Sequence, residues 1–411
     1  MKIIWNEMKK IWNLKNIIMI ILLSTMCYIV FLQFHIKHYP NGHPQAETLA
    51  LSTMLTEKYG STIEPDEFNE FLQMREELVK AADQAIVENS DLAKREIKNY
   101  AELQEYENRL SDENATWEDR EELQKIMNEF YNLPADTGSG VTEFYSDSEK
   151  KKYGSDTPKL AYMLPAFDNI VEKYENGATH LLQSEAPAIY HKRWNDMINT
   201  GEWRSPICWE VIENTTQYAQ NLVALLMLLS LLCFAPLLTS DRVRKIHLLQ
   251  YTAKQGRKII GKQLLAVLIS SILLTTTLFL VFGGIYAQND TQLFWNNYVS
   301  SFNGMMTSIP LTFGQYVIVI CIMMYLMGIA VSVVAFLLSR FAANYIVLLA
   351  GLIPTFVVSV MLCDKLFFNP LNGFKNGIAL FDPMVCGIIL LVVVVVGVGV
   401  LVRERRIDIL V

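Results

Sequence analysis

Six long stretches of this sequence, 16–34, 218–238, 263–286, 315–338, 341–363 and 384–402, contain no Asp, Glu, Lys, Arg or His. Charge is scarce overall: 19% of the 411 residues are charged, against about 25% in a soluble protein. A core helix of a soluble protein is rarely so long and so uncharged, whereas a bilayer span takes about 20 apolar residues. The absence of ionisable groups from these stretches excludes the intramembrane relays of ion-coupled transporters. It also leaves membrane-embedded catalysis without candidate acids, bases or nucleophiles that have partners. The segment 287–314 has no Lys or Arg at all. The apolar run 16–34 is long for a signal peptide, and no A-x-A-like cleavage site follows it. Of the six cysteines only Cys208 falls within 35–215, so that segment has no internal disulfide. This suits the outer surface of a Gram-positive bacterium.

What charge there is divides the chain in two. Residues 35–215 hold 35 of the 42 acids and 18 of the 35 bases, a net charge of 18 − 35 = −17, and the remainder carries 17 − 7 = +10. The bases cluster at Lys2, Lys9, Lys10 and Lys15, at Arg242, Arg244, Lys245, Lys254, Arg257, Lys258 and Lys262, at Arg340, and at Arg403, Arg405 and Arg406. By the positive-inside rule these segments face the cytoplasm. The expectation is an all-α polytopic plasma-membrane protein with six transmembrane helices, both termini cytoplasmic, and 35–215 outside. Residues 1–15 place Ile4, Met8, Ile11 and Trp12 on one helical face, as an interfacial helix does. The predicted divisions are 1–15, span one at 16–34, the external domain 35–215, and spans two to six in 216–411.

Residues 256–263, GRKIIGKQ, are one letter from the phosphate-binding pattern G-x-x-x-x-G-K-[ST]. Gly256, Gly261 and Lys262 fit, but Gln263 stands where a hydroxyl would hold magnesium. About two dozen residues separate spans two and three, too few for the α/β domain around a true phosphate loop. The preceding segment reads as a short amphipathic helix, with Ser240 as its N-cap and Val243, Ile246 and Leu249 recurring along it. Topology and membrane-surface contact alone account for basic residues there; the alternative is a docking surface for a cytoplasmic partner.

The run LLQYTAKQGRKIIGKQLLAVLI resembles the first cytoplasmic loop of the membrane subunits of type V ABC exporters. The matching positions are Asp241, Leu248, Leu249, Thr252, Arg257, Gly261 and Lys262; Lys245 and Ile246 depart from the Gly-Thr found in many members. The resemblance implies that 240–262 is a coupling helix docking a separate ATPase through Asp241, Leu248, Leu249, Tyr251, Thr252, Lys254, Gly256, Arg257 and Lys262. It implies ATP and magnesium in that partner and no cofactor in this chain. It also implies an elbow helix before span one, a second permease subunit in a homo- or heterodimer, and a cargo such as a peptide, lipid or drug. Neither a nucleic-acid partner nor a metal is expected. Polar and kinking residues in the spans, Ser270, Ser271, Thr275, Pro236 and Pro354, either line a path or pack helices. The competing reading of the whole chain is a membrane-anchored sensor or scaffold that presents 35–215.

That segment is long enough for one domain and is predicted mainly helical. Helical stripes run through 64–86 and 92–110, and Thr116 with Asp119 forms a capping-box pattern opening a helix to Phe130. Residues 136–157 read as a loop and 158–200 as helix. The acidic excess would steer cations toward the domain, or is simply a solvated face. His35 and His38 share a helical face with His43 nearby, and without a completing ligand they read as structural histidines.

Overall fold

The computed structural model describes residues 2–89, 92, 96–110, 116–131, 160–183, 188–246, 256–371 and 378–406. Among these there is no strand, only one isolated bridge between Tyr298 and Thr312. Six helical segments are long and apolar enough to cross a membrane: Leu14–Leu32, Trp209–Val243, Ile259–Asn289, Phe313–Phe341, Tyr345–Phe367 and Phe381–Arg403. The chain is a membrane protein with a helical domain inserted between the first and second of these spans.

The helix boundaries follow local chemistry. Helix α1 (Lys2–Ile11) is followed by α2 (Leu14–Cys27), whose Asn13 cap accepts from the Asn16 N–H at 3.1 Å. A π-helical turn, Tyr28–Leu32, ends span one, and the short α3 (Phe34–Lys37) follows it. Span two combines α10 (Trp209–Phe234) and α11 (Pro236–Val243), divided at Pro236, which lacks the N–H that would continue the ladder. Span three is α12 (Gly256–Tyr286), and span four is α13 (Phe313–Phe341). A reciprocal box opens α13: Thr312 Oγ1 accepts from Gln315 N–H at 3.3 Å, and Gln315 Oε1 from Thr312 N–H at 3.0 Å. Span five is α14 (Tyr345–Phe367), capped by Asn344, and span six is α15 (Phe381–Arg406).

Span four is the hub, packing against spans two, three, five and six. Gly328 permits that approach, since a Cβ there would come within 2.9 Å of Leu226 and 3.1 Å of Thr275 Oγ1. At the other extreme, only 6% of the apolar stretch of span one is buried, against 72% for span two. Helix α1 lies against α12, with Ile11 buried between them.

The inserted domain comprises α4 (Gln45–Tyr59), α5 (Pro65–Glu88), α6 (Tyr100–Leu110), α7 (Trp117–Tyr131), α8 (Leu160–Gln183) and α9 (Ala188–Thr200). It has its own core, in which Phe68 stacks on Tyr174 at 3.7 Å and Phe71 on Phe167 at 4.7 Å. The expected box at Thr116 forms, with Asp119 Oδ2 accepting from Thr116 N–H at 2.8 Å. Leu92 and Ile97 are buried but precede α6 rather than belonging to it. The predicted loop 136–157 lies outside the described residues.

The segment between spans three and four is a folded platform rather than a slack connection. Thr291, Phe294, Asn297, Val299, Ser300, Asn303 and Thr307 are buried in it. It binds the domain directly: Phe302 N–H donates to Trp203 O at 2.8 Å, and Lys173 Nζ to Asn303 Oδ1 at 3.0 Å. Buried Arg193, on α9, donates to Thr307 O at 3.1 Å and to Ser300 Oγ at 3.3 Å, while pairing with buried Glu202. The domain is therefore fastened at three places: after span one, before span two, and on the linker of spans three and four.

Candidate functional site

Residues 256–263 are helical throughout and open the 31-residue α12. A phosphate cradle needs a loop that turns successive backbone N–H groups inward. In a helix beyond its first turn those groups bond to carbonyls four residues earlier. The local resemblance to a nucleotide motif therefore has no matching backbone.

Gln263 instead has a structural task. Its side chain is buried at 0% exposure, and its Nε2 donates to Asp241 Oδ2 at 3.1 Å and to Glu7 Oε2 at 3.2 Å. Lys10 Nζ meets Glu7 Oε1 at 2.9 Å and both oxygens of Asp241 at 3.2 Å. Both carboxylates are buried, Glu7 at 6% and Asp241 at 5% exposure. Burial pulls the Lys10 ammonium down, and Glu7 and Asp241 outweigh that pull, holding it above its ordinary value. A buried carboxylate alone would be costly; here each has a cation and an amide donor. Three segments are thus tied at one point: the N-terminal helix, the end of span two and the start of span three.

Arg242 performs a second closure. Its guanidinium donates to Ala342 O and Arg340 O, both at 2.5 Å, capping the end of span four. Beside it, Ser339 Oγ accepts from the N–H groups of Leu238 at 2.9 Å and Thr239 at 3.0 Å. Ser240 lies inside α11 and its carbonyl accepts from Arg244 N–H, so it is part of a helix end and not the N-cap expected from sequence. The chain turns at Arg244 and Lys245, the latter with φ +58°.

Of the residues implicated in docking, Asp241 belongs to the buried junction, and half-buried Lys262 immediately precedes Gln263. Gly256 and Arg257 stand in the first turn of α12, where the structure describes backbone only. Leu248, Leu249, Tyr251, Thr252 and Lys254 lie outside the described residues.

The span residues are drawn into contacts within the bundle. Ser270 Oγ accepts from Trp12 Nε1 at 3.1 Å, and Ser271 Oγ accepts from Ser332 Oγ at 2.8 Å. Thr275 donates to Ser271 O at 2.9 Å, and all three residues are buried. Pro236 marks the break in span two and Pro354 lies within α14.

At the opposite end of the bundle, buried His35 is held between two asparagines. Its Nδ1 donates to Asn214 Oδ1 at 3.0 Å, and its Nε2 accepts from Asn221 Nδ2 at 3.2 Å. Burial pushes its pKa below the ordinary 6.5, so this neutral tautomer persists. His38 packs against Phe34, and His43 stacks on Tyr162 at 4.1 Å while contacting Glu47 at 2.6 Å. The three histidines have separate partners, and no group of three metal-ligating side chains forms among the described residues.

Sequence reasoning singled out Asp241, noted Gln263 only as a departure from the phosphate-binding pattern, and passed over Glu7. A signal existed in Glu7, the only acid before Glu47, set among the apolar positions of α1. No protein-family model, curated protein or solved structure matches the chain.

Proposed function

We propose that this chain is the membrane subunit of an ATP-driven exporter, with hydrolysis performed by a separate ATPase docking on 240–262. The reading joins the motif resemblance to the absence of ionisable groups from the six apolar stretches 16–34, 218–238, 263–286, 315–338, 341–363 and 384–402, which directs attention to an external energy source. The observation that carries it is the Glu7–Lys10–Asp241–Gln263 junction. It anchors both ends of the basic segment to the bundle. A protein pressing on that segment would move spans two and three together with α1. Coupling requires this kind of mechanical continuity, with a packed element whose position the partner biases.

In this proposal α1 is an elbow helix in the plane of a Gram-positive plasma membrane, both termini are cytoplasmic, and the inserted domain is external. A second permease subunit completes the transport path, and the cargo is a peptide, lipid or drug. The test is Lys254→Glu with Arg257→Glu in the full chain. The double variant inserts normally, and ATP hydrolysis by the partner no longer supports transport. Unchanged transport counts against docking here. A protein that purifies alone and inactive under several mild detergents supports the scaffold reading instead.

A further inference from the structure

A cavity of about 190 Å³ opens where span one, the following turn and span two converge beneath the inserted domain. One wall is α10, whose Glu210, Glu213, Asn214 and Gln217 line the cavity at intervals of three and four, on a single helical face. Aromatic residues also line it: Phe34, Tyr39 and Trp209, the last at the start of α10. No Lys or Arg is among its lining residues, as far as the described residues go. His35, satisfied by Asn214 and Asn221, and His38, packed against Phe34, are the other titratable residues of the lining, whose carboxylates are Glu210 and Glu213. Glu213 Oε1 accepts from Gln217 Nε2 at 3.0 Å. Glu210 Oε2 is buried and receives no hydrogen bond, which is costly for a carboxylate oxygen unless a donor arrives.

We propose that this cavity binds an organic ammonium or guanidinium group, with its charged head between Glu210 and Glu213 and its apolar stem against Phe34 and Trp209. Each part follows from chemistry. A cationic N–H group supplies the donor that Glu210 Oε2 lacks, and bonds to charged partners are the stronger ones. Aromatic faces attract such heads through their quadrupoles. The volume suits a head group or one side chain, since sites for drug-sized ligands begin at about 300 Å³. The −17 charge of 35–215 would concentrate cations at the entrance. The site does not depend on ATPase docking and stands or falls separately from the exporter reading.

The experiment uses the purified full-length protein in nanodiscs of neutral phosphatidylcholine, which removes binding of cations to lipid. Agmatine, a guanidinium and an ammonium on a four-carbon stem, is titrated calorimetrically, with 1-pentanol as the neutral control. The wild type gives saturable binding of agmatine and none of 1-pentanol. Glu213→Gln, at a half-buried position with no ion pair among the described residues, weakens binding by about tenfold or more, the scale of one charged hydrogen bond. Trp209→Leu weakens it as well. A parallel arm compares acetyl-Gly-Lys-Gly-amide with its norleucine analogue; binding of the lysine form alone identifies a peptide side chain as a source of the cation, and binding of agmatine alone identifies a small amine. Glu210→Gln is read only if its thermal midpoint matches wild type; Glu213→Gln carries the test otherwise. Absence of saturable binding by both cationic probes overturns the proposal, as does binding that Glu213→Gln leaves unchanged.

Discussion

Nε2 of Gln263 lies 3.1 Å from Oδ2 of Asp241, across the segment that separates spans two and three. The same amide reaches Glu7 at 3.2 Å. The residue that spoils the nucleotide motif is therefore the one that closes the junction, and the two roles make opposite demands on position 263.

Gln263→Thr completes the pattern G-x-x-x-x-G-K-T and gives no nucleotide binding, because residues 256–263 remain helical. It does remove the donor shared by two buried carboxylates. Stability falls by about 1–3 kcal/mol, the cost of leaving buried polar groups unsatisfied. Equilibrium binding of radiolabelled ATP and thermal unfolding in detergent check both halves. Saturable ATP binding by the variant would contradict the helical reading of this segment.

Arg193→Ala strands Glu202 in a site where both partners are nearly fully buried. It also withdraws the donor to Thr307 O. Removing one partner of a buried pair costs about 3–5 kcal/mol, whereas replacing both by apolar groups of similar volume is far milder. Arg193→Met with Glu202→Leu should therefore recover most of the loss. Limited proteolysis of the full chain reports release of the domain from the platform, with the single variant cleaved fastest.

His35 gives a pH dependence of defined sign. Its folded-state pKa lies below the ordinary 6.5 because burial disfavours the imidazolium. Below about pH 6.5 the unfolded chain binds the proton more readily than the folded one, so stability falls as pH drops toward the folded value. Above 6.5 both states are neutral and the contribution is level. Comparison of melting curves for wild type and His35→Gln between neutral and mildly acidic pH isolates the residue. A smaller acid-induced loss in His35→Gln is the expected result.

The spans were legible because about 20 uncharged residues have few other physical solutions. The domain's helices were legible from periodicity and from a capping box whose two members sit three residues apart, as at Thr116 and Asp119. The platform was not, since Asn297, Ser300, Asn303 and Thr307 are buried through contacts with Thr56, Arg193 and Lys173, more than a hundred residues away. Neutral polar residues without periodicity look like any connecting loop. Gln263 escaped for the same reason: its partners come from segments whose approach depends on the folded bundle. Ser240 shows the converse error, a good N-cap residue used inside a helix because Pro236 had already started one.

The most direct measurement is gentle purification of the tagged protein from its native membranes, followed by an ATP-hydrolysis assay on what accompanies it. The exporter account predicts a co-purifying ATPase that is lost when Arg257 is replaced by Glu. A protein that comes alone, or an ATPase retained unchanged by Arg257→Glu and by Lys254→Glu with Arg257→Glu, would contradict it.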